Sequence, residues 1–245
     1  MKNILIESVI FISILLFAYL LYIFLKDKTE KIKRVPFIVI TVILLAMEAA
    51  KQIYSFIVGY NLYYIPLQIC SLFLLCYPLA VFARGRVRDY GWCMSLCLGS
   101  SLCLAQLFLS QILTQDYIFK LFTAQATPFH YHTVFYHHII VLHFVLMLFL
   151  KPYKPKKQDI LPTLVMYSVF MVISCVFANL LHTNYSGYIN YGAAVFDYFK
   201  RYGQAVFNIV GFCLNTLEYL LGVFICFFIY NKLITKKQMS DKSSK

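Results

Sequence analysis

Seven apolar stretches, each close to twenty residues long, dominate this chain. They fall near Ile4–Leu25, Pro36–Ile57, Ile65–Ala83, Tyr90–Leu113, Thr133–Leu150, Ile160–His182 and Ala205–Lys232. About twenty residues at about 1.5 Å each cross the roughly 30 Å of hydrocarbon in a bilayer. In lipid the backbone must satisfy its own hydrogen bonds, and these runs lack strand alternation, so each is expected to be a helix. The predicted fold is all-α: a polytopic transmembrane bundle of about seven spans. Composition excludes the alternative of a water-soluble domain. The chain is 61% hydrophobic and 13% charged, against about half and about one quarter in soluble proteins.

The first run follows Lys2 and could be mistaken for a secretory leader. Ile4–Leu25 is too long for a leader's apolar segment, and Lys26-Asp27-Lys28 follows it rather than a small-x-small cleavage pattern, so it reads as a retained span. One membrane domain over residues 1–235 is predicted, with a polar, disordered cytoplasmic tail over 236–245.

Lys and Arg set the orientation. Five lie in Lys26–Arg34, three in Arg84–Arg88, four in Lys151–Lys157 and five from Lys232 onward. The other side holds only Lys2, Lys120, Lys200 and Arg201. That asymmetry predicts an outside N-terminus and a cytoplasmic C-terminus in a multi-pass protein of the cell membrane. The net charge of +12 is divided among short juxtamembrane loops, which suits anionic lipid headgroups rather than nucleic acid. The eight cysteines lie in or beside predicted spans and form neither a CxxC pair nor a Cys/His ligand spacing. They read as small buried hydrophobes, and no metal or cofactor is predicted.

Ionisable residues inside spans cost about 2.5–3.5 kcal/mol each on insertion scales, so they mark candidate sites. Glu48, Lys51, His137, His138 and Glu218 are the cases here. Glu48 and Lys51 are three apart on one helix and can neutralise each other, either as a structural pair or as part of a site. With the spans as drawn, Glu48, Lys51, Gln68, Cys70, His137 and His138 share the outer half with Gln106, Ser110, Gln111, Asn179, His182 and Asn208. The inner half is almost wholly apolar. Such one-sided clustering predicts a cavity open to the exterior or the outer leaflet. Cys70 is a candidate nucleophile if a neighbouring histidine or Lys51 lowers its pKa, although 200° of helix separates it from Gln68 unless the turn after Pro66 is irregular. His130 and His132 are expected to be solvated, and His143, deeper in the helix, is open between a site residue and a satisfied packing residue. The exterior loops Thr114–His132 and Thr183–Gln204, the latter with Tyr185, Tyr188, Tyr191, Tyr198 and Tyr202, read as interfacial anchors or as a lid.

Several of these features together resemble the YwaF-like bacterial integral membrane proteins. They are Glu48 with Lys51, the run Pro66-Leu67-Gln68-Ile69-Cys70, Phe135-Tyr136-His137-His138, and Asn184-Tyr185. Gln68 stands where that family more often has histidine. The family is distantly similar to an animal acyltransferase of ether phospholipids and to androgen-induced lipid hydrolases, which use a Cys or Thr nucleophile with a histidine from another helix. In the acyltransferase the cysteine follows the proline directly, where this chain has Leu67, so Cys70 is a substitute. His138 is the residue carried over.

Two readings follow. One is a membrane lipid acyltransferase or hydrolase with Cys70 as nucleophile and His138 as base. Glu48, Lys51, Gln68, His137, Asn184, Tyr185 and Glu218 would then contact the membrane-lipid substrate. The other is non-enzymatic binding or transport of a small polar or amphipathic solute held by Glu48, Lys51, Gln68, Asn184 and Glu218.

Overall fold

The computed structural model describes residues 2–113, 115–190 and 198–230, and among these every regular element is helical. The main helices are α1 (Lys2–Leu25), α2 (Glu30–Lys33), α3 (Val35–Val58), α4 (Phe73–Phe82), α5 (Gly85–Leu113), α6 (Gln115–Lys120), α7 (Pro128–Leu150), α8 (Ile160–Leu181) and α9 (Gln204–Phe224). Among the described residues four segments are long and apolar enough to cross a membrane: Ser8–Leu25, Pro128–Leu150, Lys157–Leu181 and Gln204–Phe228. The protein is therefore built for a membrane. The polar tail expected over 236–245 lies outside the described residues.

α5 is the centre of the bundle, packing against α4, α7, α8 and α9. Every side chain from Gly91 to Cys103 is buried, as a helix enclosed on all sides requires. Its sequence there is rich in Gly, Ser and Cys, which lets neighbouring backbones approach closely. A Cβ on Gly91 would sit 2.3 Å from the Ala80 backbone nitrogen, and one on Gly222 of α9 would sit 2.1 Å from the Cys97 carbonyl oxygen. By contrast α1 is peripheral. Of its described side chains only Ala18 and Leu25 are buried, and its main contact is α7.

The third apolar run departs from the expected continuous span over Ile65–Ala83. The chain leaves α3 through Gly59 at φ +96°, a conformation that a side chain would strain. It then forms a 3-10 turn at Leu62–Tyr64, an extended stretch to Gln68 and a second 3-10 turn at Ile69–Leu72 before α4 begins. Pro66 explains part of this, since it offers no backbone N–H and disfavours a helical Ile65 before it.

Such irregular backbone must find its hydrogen bonds elsewhere, and distant side chains supply them. Ser174 of α8 and Ser186 both donate to the Leu67 carbonyl, at 2.8 and 3.0 Å. Gln52 donates to the Tyr64 carbonyl at 2.7 Å, and Tyr136 donates to the Cys70 carbonyl at 3.1 Å. Tyr185 donates to the Leu62 carbonyl.

α7 begins at Pro128, five residues before the apolar run. Thr127 precedes a proline at the first helical position, where the missing N–H costs nothing, and its backbone N–H donates to His130 Nδ1 at 3.0 Å. His130 and His132 therefore belong to the helix rather than to a solvated loop.

A polar cavity between α3, α6 and α7

A cavity of about 440 Å³ lies at the end of the bundle where α3 finishes and α7 starts. Glu48 and Lys51 of α3, Tyr117 of α6, and Thr127, Phe129, His130, His132, Thr133, Tyr136 and His137 at the start of α7 line it. Tyr63, Tyr64, Ile65, Gln68, Cys70 and Ser71 of the irregular segment complete the wall. On α7 residues 129, 132, 133, 136 and 137 recur at helical spacing and so share one face.

The ion pair that residue spacing allowed is present, with Lys51 Nζ 2.7 Å from Glu48 Oε1. Glu48 is also joined to α7, since His132 Nε2 lies 3.2 Å from its Oε2. The side-chain amide of Gln52 donates to Oε1 at 2.7 Å, and Tyr60 donates to the Gln52 carbonyl oxygen at 2.8 Å. The carboxylate therefore receives two cationic or potentially cationic groups and an amide, the set that makes a charge tolerable in a poorly solvated site. This corrects the expectation of a solvated His132. Its ring stacks on Tyr136 at 5.0 Å between centroids, and its side chain is only 13% exposed. The Thr127-Pro128 start signal, which puts His132 and Tyr136 one helical turn apart, was the clue to it.

His137 Nδ1 lies 2.7 Å from the Thr133 carbonyl oxygen, and His138 Nδ1 the same distance from that of Val134. A carbonyl only accepts, so each neutral ring holds its proton on Nδ1 and carries its basic lone pair on Nε2. His137 lines the cavity; His138 is buried on α7 and is not among the lining residues.

Gln68 and Cys70 both line the cavity, which the 200° helical separation would forbid and the irregular turn permits. Gln68 also braces the wall from behind. Its amide nitrogen donates to the Asn184 carbonyl at 3.0 Å, and its side-chain oxygen accepts from the Ser186 N–H at 2.9 Å.

Asn184 and Tyr185 lie off the cavity. Asn184 Oδ1 accepts from the backbone N–H groups of Ile189 and Asn190, both at 3.0 Å, closing its own loop. Tyr185 and Tyr188 are fully buried, so they are core residues rather than interfacial anchors. Tyr198 and Tyr202 are exposed and hydrogen-bonded to each other at 2.8 Å, and Tyr191 lies outside the described residues. Glu218 is half-buried on α9, away from the cavity. The side chains of Gln106, Ser110 and Gln111 lie outside the described residues. His143 is fully buried with neither ring nitrogen hydrogen-bonded among the described residues, stacked 3.6 Å from Tyr77 between ring centroids, so it packs there without a polar partner among them. Among the described residues no group of three or more His, Cys, Asp or Glu is placed to hold a metal ion.

Residues 2–231, nearly the whole chain, match the TMEM164 family. The chain belongs to that family. No curated protein and no solved structure matches it. For this TMEM164 family member the matched span takes in α1 to α9, and so every cavity-lining residue.

Proposed function

We propose that the cavity is the site of acyl transfer or ester hydrolysis on a membrane lipid, in a seven-span protein of the cell membrane with its basic loops inside. In this reading α1, α3, the Ile65–Phe82 segment, α5, α7, α8 and α9 cross the bilayer, and the cavity opens towards the outer leaflet. One observation carries it: a single wall bears a thiol residue, Cys70, a histidine, His137, and the Lys51–Glu48–His132 group. The resemblance to YwaF-like proteins, and through them to a phospholipid acyltransferase, supports the same class.

In the proposed reaction the Cys70 Sγ–H gives its proton to a histidine Nε2 as sulfur attacks the acyl ester carbonyl. The carbon–oxygen bond of the ester breaks, and the departing alkoxide takes the proton from the imidazolium, leaving a thioester on Cys70. A second alcohol, or water, then gives its proton to the same nitrogen and attacks the thioester. Thiolate leaves and is reprotonated. Lys51 supplies positive charge for the oxyanion. His137 or His132 is the base at the cavity, while His138, the histidine carried over from the resemblance, acts here only if the buried ring is reached from Cys70.

The test is incubation of purified protein with phospholipids carrying a labelled acyl chain, followed by mass spectrometry of products and of Cys70. A hydroxylamine-sensitive acyl adduct on Cys70, lost in Cys70→Ala and slowed at least about a hundredfold in the essential histidine variant, is expected. Full turnover by Cys70→Ala would discard the cysteine mechanism. Binding without chemistry by the same polar wall is the second reading. Solute-dependent thermal stabilisation that survives Cys70→Ala, with no product formed, would favour it.

A further inference from the structure

At the opposite end of the bundle, among the Lys/Arg-rich connections, lies a second cavity of about 220 Å³. Its wall carries Lys33, Arg34 and Arg88, with Glu30 as the one acidic member; Phe37, Trp92, Leu150 and Pro152 form the apolar part. Phe37 and Trp92 are nearly inaccessible and meet edge-on at 5.1 Å, so this wall is a firm part of the core. We propose that this cavity binds a phosphate group, presented by an anionic lipid headgroup or by a soluble phosphate.

The charges are only partly used within the protein. Arg34 spends one donor, through Nη2 on the Val81 carbonyl at 2.6 Å, of the five a guanidinium has. Lys33 pairs at 3.0 Å with Glu30, whose side chain is 80% exposed, and an exposed pair of this kind is weak and easily exchanged. Arg88 makes no ion pair or hydrogen bond among the described residues. Three like charges around a small cavity with an apolar floor repel one another, and an oxyanion offsets that repulsion while accepting from two planar guanidinium forks and an ammonium. The volume takes a phosphate with a glycerol but not acyl chains, which would run outward along the bundle into lipid. This site is separate from the outer cavity and does not depend on the reading given for it.

The experiment uses the full chain in detergent. Native mass spectrometry follows retention of short-chain phosphatidic acid and of the matching diacylglycerol, which lacks only the phosphate. In parallel, thermal unfolding is followed in sodium phosphate and in sodium chloride of equal ionic strength. Phosphatidic acid should be retained and diacylglycerol not. Lys33→Gln/Arg88→Gln should weaken retention about tenfold or more, and Arg88→Gln alone, which breaks no hydrogen bond or ion pair among the described residues, by a smaller factor in the same direction.

Lys28→Gln/Lys154→Gln, exposed charges of the same loops outside the cavity, should bind as the wild type does. If phosphate ion protects as well as phosphatidic acid does, the source is soluble and the site stands; if only the lipid is held, the source is the headgroup. Three results each overturn the proposal: equal retention of the two lipids with no stabilisation by phosphate ion over chloride, wild-type retention of phosphatidic acid by both cavity variants, or an equal loss in the control pair.

Discussion

The centre of α5 and the segment from Gly59 to Leu72 solve the same problem by opposite means. The first is wholly buried and the second runs from the exposed Gly59 to the buried Leu72, and each must leave no buried backbone group unpaired. α5 satisfies its backbone internally and gains its neighbours through small residues, so its stability rests on contact distance. The irregular segment satisfies itself only in part, through turns such as Ser71 N–H on the Gln68 carbonyl, and is held besides by hydroxyls and an amide from Gln52, Tyr136, Ser174, Tyr185 and Ser186. A steric change should therefore damage the first globally, and a loss of hydrogen bonds should damage the second locally. The cavity lined by Glu48, Lys51 and Cys70 borders the second region, which suits a wall whose side chains are aimed by several elements at once.

Substitution of Gly222 by valine is expected to have the largest effect. Its Cβ would lie 2.1 Å from a backbone carbonyl, so α9 must move off α5, at about 3 kcal/mol or more given the usual cost of overpacking. Detergent-based thermal unfolding should show loss of the folded state rather than a small shift. A near-wild-type Tm would break the claim that close backbone approach organises the centre.

Gln68→Ala comes next. It removes two hydrogen bonds and leaves the Asn184 carbonyl and the Ser186 N–H to find other partners, at about 1–3 kcal/mol each if they stay dry. Hydrogen exchange should rise in residues 59–72 and 184–188 while α5 stays protected. Uniform acceleration across the chain would erase the distinction between the two regions.

His143→Leu sharpens the comparison with a sign. The imidazole is fully buried with both nitrogens unpaired among the described residues, so an apolar residue of similar size should leave Tm unchanged or raise it by a few degrees. A fall of ten degrees would show that the ring has a partner or a role that packing does not supply.

The smallest effect is expected for Asp89→Asn. Its partner Lys156 is 46% exposed and 2.6 Å away, and such pairs contribute about 0–1 kcal/mol. The hydrogen bond to Asp89 holds the Lys156 ammonium above the ordinary lysine value. The contribution is therefore present below that ordinary value and lost only as pH rises through the raised one, so Tm between pH 6 and 8 should not change with pH on this account.

Helical class and membrane character were legible because both depend on local hydropathy, which a run such as Ile160–His182 carries by itself. Glu48 and Lys51 were legible as a pair because three residues on a helix fix a distance. His132 was missed, since hydropathy placed the start of its helix at Thr133 while Thr127-Pro128 actually starts it. Asn184 and Tyr185 read as site residues through the resemblance to YwaF-like proteins, but both are turned to holding the chain.

The sequence by itself determined that this chain is apolar enough for a membrane, that it folds as helices, and that Glu48 and Lys51 stand within reach of each other on one of them. The tertiary structure decided that Gln68 and Cys70 share a wall, that Glu48 of α3 meets His132 of α7, and that Lys33, Arg34 and Arg88 surround one cavity. Local periodicity sets which face of a helix a residue occupies. Which faces meet is settled by packing between segments far apart in the chain, such as α9 against α5 at Gly222, and no local pattern encodes that.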